Sequence, residues 1–179
     1  MSEMSDVYTI HRERTGAVWQ RDTPIPEGAC HLTVHVCLFN RDGAMLIQQR
    51  SSTRDVFPNA WDVTAAGHVQ AGETSRMAAM RELKEELGLT LDLTERRPHL
   101  TFHAEGAFDD VFLMEADVAL EEVSLQEEEV QAVCYADEAT IVAWMNDGRF
   151  VPYRPEIVSL LFAMRHTYGS FQRVDQGGI

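Results

Sequence analysis

From His31 to Phe39 apolar and polar residues alternate. Leu32, Val34, Val36 and Leu38 share one face, while His31, Thr33, His35 and Cys37 share the other, the two-residue repeat of a half-buried strand. Asn40-Arg41-Asp42-Gly43 reads as a hairpin turn that returns the chain through Met45–Arg50. Shorter strands are predicted at Val7–His11, Asp62–Ala66, Leu100–His103, Asp110–Ala116 and Val130–Tyr135, with Glu105–Asp109 connecting the fourth to the third. Arg12–Gly16 and Thr23–Gly28 read as polar loop.

The repeat changes to 3.6 residues after a stretch bracketed by Gly67 and Gly72. Thr74 or Ser75 can cap the helix that follows, and Gly88 suits the left-handed position just past its end. Met80, Leu83 and Leu87 fall on one stripe with Arg76 and Met77 at its edges; Glu82, Glu85 and Glu86 fall on another, roughly 130° away. Two further helices are predicted, from about Asp137 to Asn146 and from near Arg154-Pro155-Glu156, where proline suits the first turn. The last of these carries Ile157, Leu160, Leu161 and Met164.

A charged helix face is ordinarily a solvated one. Here two energies oppose that account. Like charges three or four residues apart cost about 0.2–0.5 kcal/mol per pair, and acids in the last turn oppose the helix dipole by about 0.3–1 kcal/mol each. Lys84 and Arg81 offset part of this. A hard divalent cation would reverse both penalties, because clustered carboxylate oxygens suit Mg²⁺ or Mn²⁺.

The 179 residues are most simply one domain, residues 1–179, with a short N-terminal extension over about 1–28 and a frayed tail over about 172–179. A net charge of −14 argues against a nucleic-acid polymer as partner, and makes cations necessary intermediaries for any anionic ligand. Cys30, Cys37 and Cys134 lack metal-finger spacing and read as reduced thiols of a cytoplasmic protein. No signal peptide and no membrane-length apolar run is read in the sequence.

The helix and its approach resemble the Nudix box, Gly-x5-Glu-x7-Arg-Glu-U-x-Glu-Glu-x-Gly-U, where U is a bulky aliphatic residue. Gly67, Glu73, Arg81, Glu82, Leu83, Glu85, Glu86, Gly88 and Leu89 fill every fixed position. The resemblance implies an α+β fold, a three-layer α/β/α sandwich around a mixed β-sheet. It also implies a hydrolase that cleaves a diphosphate linkage in a nucleoside diphosphate derivative or related metabolite. By similarity Glu85, Glu86 and the carbonyl of Ala66 would hold a metal, and Glu82 would be either a further ligand or the general base. Glu73 with Arg81 would fix the loop against the helix. Glu129, from the acidic run Glu127-Glu128-Glu129, would complete the metal site or act as base, and Arg50 would bind phosphate. Many members of the family form homodimers, though no interface is read here.

Two other readings compete. His31, His68 and Trp61–His68 resemble the metal-binding segment of type I isopentenyl-diphosphate isomerases, relatives of the same fold. Ala66, however, stands where those enzymes carry their catalytic cysteine, and Ala66 has no proton to give. The third reading is a non-catalytic ligand-sensing domain. Phe57, Trp61 and Phe108 could stack on a base or belong to the core.

Overall fold

The computed structural model describes residues 3–21 and 23–169. Nine strands and three α-helices follow in the order β1 (Met4–Thr9), β2 (Arg14–Gln20), β3 (Ala29–Phe39), β4 (Met45–Arg50), β5 (Trp61–Asp62), β6 (Ala65–His68), α1 (Ser75–Leu87), β7 (Leu100–Ala104), β8 (Ala107–Glu115), β9 (Val130–Ala136), α2 (Glu138–Asn146) and α3 (Pro155–Met164). The tail expected to fray, 172–179, lies outside the described residues.

β3 is the axis of the sheet. It runs parallel to β8 from His31 to Phe39 and antiparallel to β6 from Thr33 to Val36. β4 carries the sheet onward to β5 and β9, and β7 pairs with β8. Both parallel and antiparallel pairings occur, so the sheet is mixed.

The alternation along β3 separates two cores. Leu32, Val34, Val36 and Leu38 meet Leu83 and Leu87 of α1. Cys37 and Phe39 meet Ile141 of α2 and Val158, Leu161 and Phe162 of α3. The result is the expected α/β/α sandwich. Met77 departs from its expected place: it is solvent-exposed, and Ala78, Ala79, Leu83 and Leu87 form the apolar contact instead. Leu160 is likewise exposed, while Val158 and Phe162 of the same helix are buried.

The N-terminal segment is not an appendage. β1 and β2 form a hairpin, and β1 continues onto β3 through Tyr8 and Thr9. Arg12–Gly16, expected as loop, contains the start of β2. The hairpin also carries the loop before α1, because Ala71 donates its N–H to the Met4 carbonyl at 2.8 Å and Gly72 donates to Asp6 Oδ2 at 2.8 Å. The β7–β8 connection is tighter than expected, since Ala107, Phe108 and Asp109 already belong to β8.

The strand expected over Asp62–Ala66 is interrupted. β5 pairs with β4, whereas β6 crosses to β3 and runs on through Gly67 and His68. Thr64 sits in the break, fully buried, donating to the Leu46 carbonyl at 2.5 Å and accepting from the Leu38 N–H at 2.8 Å. One hydroxyl thus satisfies two backbone groups that the break leaves without ladder partners. Thr64→Val keeps the shape and removes both bonds. At about 1–3 kcal/mol for each buried polar group left unpaired, it should cost at least about 2 kcal/mol in chemical denaturation.

Candidate active site

The box helix begins and ends as its sequence requires. Thr74 accepts the N–H of Met77 as N-cap, and Gly88 adopts φ 69° so that its N–H reaches the carbonyls of Leu83 and Lys84. One face buries Leu83 and Leu87; beside it, Glu82 and Glu86 are buried as well, while Glu85 is half exposed.

These acids border a cleft of about 460 Å³. Ala66, Gly67, Glu82, Glu85, Glu86, Glu129 and Arg50 all line it. Strand β6 therefore delivers Ala66 and Gly67 to the same wall that α1 supplies with carboxylates. Gly67 is needed for its bareness. A Cβ built there would lie 2.0 Å from Glu82 Oε1 and 2.8 Å from its Cγ, so the carboxylate occupies the space a side chain would fill.

Glu73 and Arg81 stand behind the cleft. Arg81 donates Nε to Glu73 Oε1 at 3.0 Å and Nη2 to Glu73 Oε2 at 3.1 Å, a two-pronged pair. The same guanidinium reaches Glu82 at 2.8 Å, Glu85 at 3.0 Å and the His68 carbonyl at 2.9 Å. Glu73 also accepts the Gln70 N–H at 3.0 Å, which ties the loop to the helix. Burial works against the Arg81 charge, but the hydrogen bond to Glu73 and the charge of Glu82 more than offset it and raise its pKa. Arg81→Met leaves three carboxylates without their common partner. It should cost about 3–5 kcal/mol in denaturant titration, the usual penalty for breaking a buried ion pair from one side.

The two buried carboxylates are held at a disadvantage. Burial, opposed in part by Arg81, pushes Glu82 up to about 7. Burial and the neighbouring Glu82 push Glu86 up to about 8, against a hydrogen bond of 3.0 Å from Gln48 Nε2. Both folded values exceed that of an unfolded glutamate, so the folded chain binds more protons between about pH 5 and 8. Stability of the metal-free protein should therefore fall as pH rises through that window. Each pKa unit is worth about 1.4 kcal/mol, so a loss of at least about 2 kcal/mol is expected from pH 5 to pH 8. Melting curves with and without Mg²⁺ check this, the cation restoring stability mainly at the alkaline end.

Among the described residues no three His, Cys, Asp or Glu side chains are gathered in a ready cation site. Arg81 engages Glu82 and Glu85 instead. The donor set nonetheless fits a hard cation. Two carboxylates whose negative charge is penalised by burial line one side of a carboxylate-rich cleft, and Gln48, which donates to Glu86, keeps a buried Oε1 without a partner.

Several neighbours were not singled out by the sequence. Gln48 occupies a position on the apolar face of β4 where a hydrophobic residue would be expected, and that anomaly was its signal. Asp62 is buried, pairs with Arg50 at 3.3 Å and accepts the Tyr153 hydroxyl at 2.7 Å. Arg54 pairs with Glu129. These contacts join segments far apart in sequence, so nothing local announces them. Of the three candidate aromatics only Phe57 reaches the cleft, with φ 50°; Trp61 packs on Trp144, and Phe108 is buried against His103. His31 and His68 stack at 5.0 Å beneath Trp19, and burial together with Arg21 brings His68 down to about 4.

A mixed sheet between helix layers, with the box helix and β6 walling a carboxylate-lined cleft, defines a Nudix-type domain. The NUDIX domain model matches residues 30–159, and the chain belongs to the Nudix hydrolase family, whose members cleave diphosphate linkages and generally use divalent metal ions. It is 43% identical over 148 residues to an uncharacterised Nudix hydrolase of Listeria innocua, covering 83% of this chain and 88% of that one. A 75-residue stretch is 39% identical to the isopentenyl-diphosphate Delta-isomerase of Salmonella heidelberg, 41% of each chain. Among solved structures, a protein of Deinococcus radiodurans superposes with a TM-score of 0.72 at 25% identity, covering 89% of this chain and 97% of that one.

Proposed function

We propose that the protein is a Mg²⁺- or Mn²⁺-dependent pyrophosphohydrolase that cleaves a diphosphate linkage in a nucleoside diphosphate derivative or related metabolite. The observation that carries this reading is the convergence of buried Glu82 and Glu86 with Ala66 and Gly67 on one cleft wall. Glu85, Glu86 and the Ala66 carbonyl would hold the cation, with Glu82 as a further ligand or as the base. A bound divalent ion supplies charge neutralisation and a water of lowered pKa.

The chain's own groups do the rest. Glu82 or Glu129 accepts the proton of the attacking water. Water adds to one phosphorus, the P–O–P bond breaks, and the bridging oxygen leaves with one phosphate. Arg50 presents a guanidinium to the phosphates. Its present partners, Asp62 and the Val56 carbonyl at 3.0 Å, hold it at the cleft edge. The three-carboxylate wall would otherwise repel the substrate, so arginine and cation together make binding feasible. A phosphate-release screen over nucleoside di- and triphosphates, dinucleotides and sugar nucleotides, with Mg²⁺ or Mn²⁺ and with chelator, tests the reading. Metal-dependent release from at least one class is expected; no release from any class counts against it.

A second reading, isomerisation of an isoprenoid diphosphate, is favoured by the stacked pair His31 and His68 and by the partial likeness to the Salmonella isomerase. Ala66 weighs against it. Incubation with isopentenyl diphosphate and Mg²⁺ in deuterated water separates the two. Deuterium entering carbon positions would support isomerisation, and its absence removes that reading.

A further inference from the structure

A second cavity of about 270 Å³ lies against the cleft. The two share His35, Asp109 and Tyr153 as lining residues. Beyond that shared boundary the second cavity is lined by Cys37, Val63, Phe102, Val111, Ile157 and Leu161, with Arg154 as its one further charged residue. It opens between the inner face of β3 and β8 and helix α3, where close packing would be the rule.

Tyr153 forms the partition. Its hydroxyl is fixed on Asp62 at 2.7 Å, beside Arg50, and its ring meets His35 edge-on at 6.0 Å. The same side chain thus faces the phosphate end of the cleft with its polar tip and the apolar cavity with its ring. A ligand spanning both spaces would need an anionic end and an apolar end.

The geometry points to this cavity as the seat of the organic group of the substrate, and to that group as a short hydrocarbon chain or small aryl group carried on a diphosphate. This inference deepens the pyrophosphohydrolase reading and rests on it. Two observations decide for a hydrocarbon over a nucleobase. A volume of 270 Å³ falls just below the range of complete small-molecule sites, so it suits a substituent and not a whole nucleoside. Apart from His35, Asp109, Tyr153 and Arg154 the lining is apolar, so a base pressed among Val63, Val111, Ile157 and Leu161 would leave several of its ring nitrogens and exocyclic groups without partners, and unpaired buried polar groups select against a ligand. Hydrolysis of such a substrate consumes one water, breaks the P–O–P bond and yields the alkyl or aryl monophosphate and orthophosphate.

The test measures binding separately from turnover. Monoalkyl esters of methylenediphosphonate, which cannot be cleaved between the phosphorus atoms, are titrated calorimetrically into the protein with Mg²⁺, from methyl to octyl, alongside the adenosine ester. Affinity should rise about fourfold per methylene while the chain fills the cavity and then level off. Ile157→Trp, which fills the space from α3, should flatten the series while leaving the methyl ester's affinity unchanged. Ile157→Ala should move the plateau to longer chains, and covers the case in which the tryptophan variant does not fold. An affinity independent of chain length, or an adenosine ester that binds more tightly than every alkyl ester, overturns the inference. Phosphate release from the matching cleavable diphosphates is read in parallel. Binding that follows chain length without any turnover would strike the hydrolase reading and leave the cavity assignment standing.

Discussion

Glu86→Gln should lower turnover by about 10²–10³-fold or more while making the metal-free protein more stable at pH 8. On the proposed hydrolase reading, the loss follows from removing a charge that would hold the cation over the reacting phosphates, where preorganised electrostatics carries effects of this size. The gain follows from burial. Glu86 is 5% exposed and its carboxylate is pushed up to about 8, so at alkaline pH the folded state bears an ionised group it holds poorly. Glutamine keeps the shape and removes that charge. An active-site residue whose neutral isostere stabilises the fold and removes activity is serving chemistry at a cost to stability. Steady-state kinetics and a melting curve on one preparation check both halves. If Glu85→Gln and Glu86→Gln both keep full metal-dependent activity, the carboxylates have been assigned the wrong role.

The second large effect is expected from a single methyl group. Gly67→Ala places a Cβ where Glu82 Oε1 and Cδ now lie, at 2.0 and 2.2 Å. Glu82 must move, and Arg81 moves with it or loses its 2.8 Å bond. Overpacking of this kind costs about 1–3 kcal/mol, yet activity should fall further, by about 10²-fold, because displacement of a catalytic group by an ångström has that consequence. Gly72→Ala offers the contrast. A Cβ there meets nothing within 4 Å, but φ is +89°, so backbone strain should lower stability with less effect on rate. The kcat values of the two variants, compared at equal folded fraction, separate a displaced carboxylate from a strained loop.

The parts of the fold that sequence made legible are those whose determinants are local. Helix α1 has a threonine cap, an aliphatic stripe and a terminal glycine within fifteen residues, and β3 alternates from Ala29 to Val36 before running fully buried to Phe39. Strand β2 was not legible because Arg14–Gln20 is almost wholly exposed and offers no buried face; pairing with β1 makes it a strand. The break between β5 and β6 depends on Thr64 reaching Leu46 and Leu38, which is a tertiary fact. Met77, at the edge of the stripe, stays exposed at the rim, while small Ala78 and Ala79 are buried against the sheet.

The candidate site divides along the same line. Glu82, Glu85, Glu86, Glu73 and Arg81 announce themselves by fixed spacing on one loop and helix. Arg54, Asp62 and Tyr153 reach the cleft from the loop after β4, from β5 and from the segment between α2 and α3, while Gln48 of β4 meets Glu86; the pairing of β4 with β5 and the bridge from Trp61 to Phe150 bring these segments together. Spacing within a helix reports a carboxylate cluster; it does not report the glutamine or tyrosine that faces it from another layer.

Hydrolysis in ¹⁸O-labelled water tests the central claim most directly. With a diphosphate that the screen identifies as substrate, and with Mg²⁺ or Mn²⁺, the wild-type protein should place one ¹⁸O in a phosphate product for each bond cleaved. Label incorporation should slow by at least about 10²-fold in Glu86→Gln. Product formed without label, or label entering at the wild-type rate in Glu82→Gln, Glu85→Gln and Glu86→Gln alike, would contradict water activation at the box carboxylates.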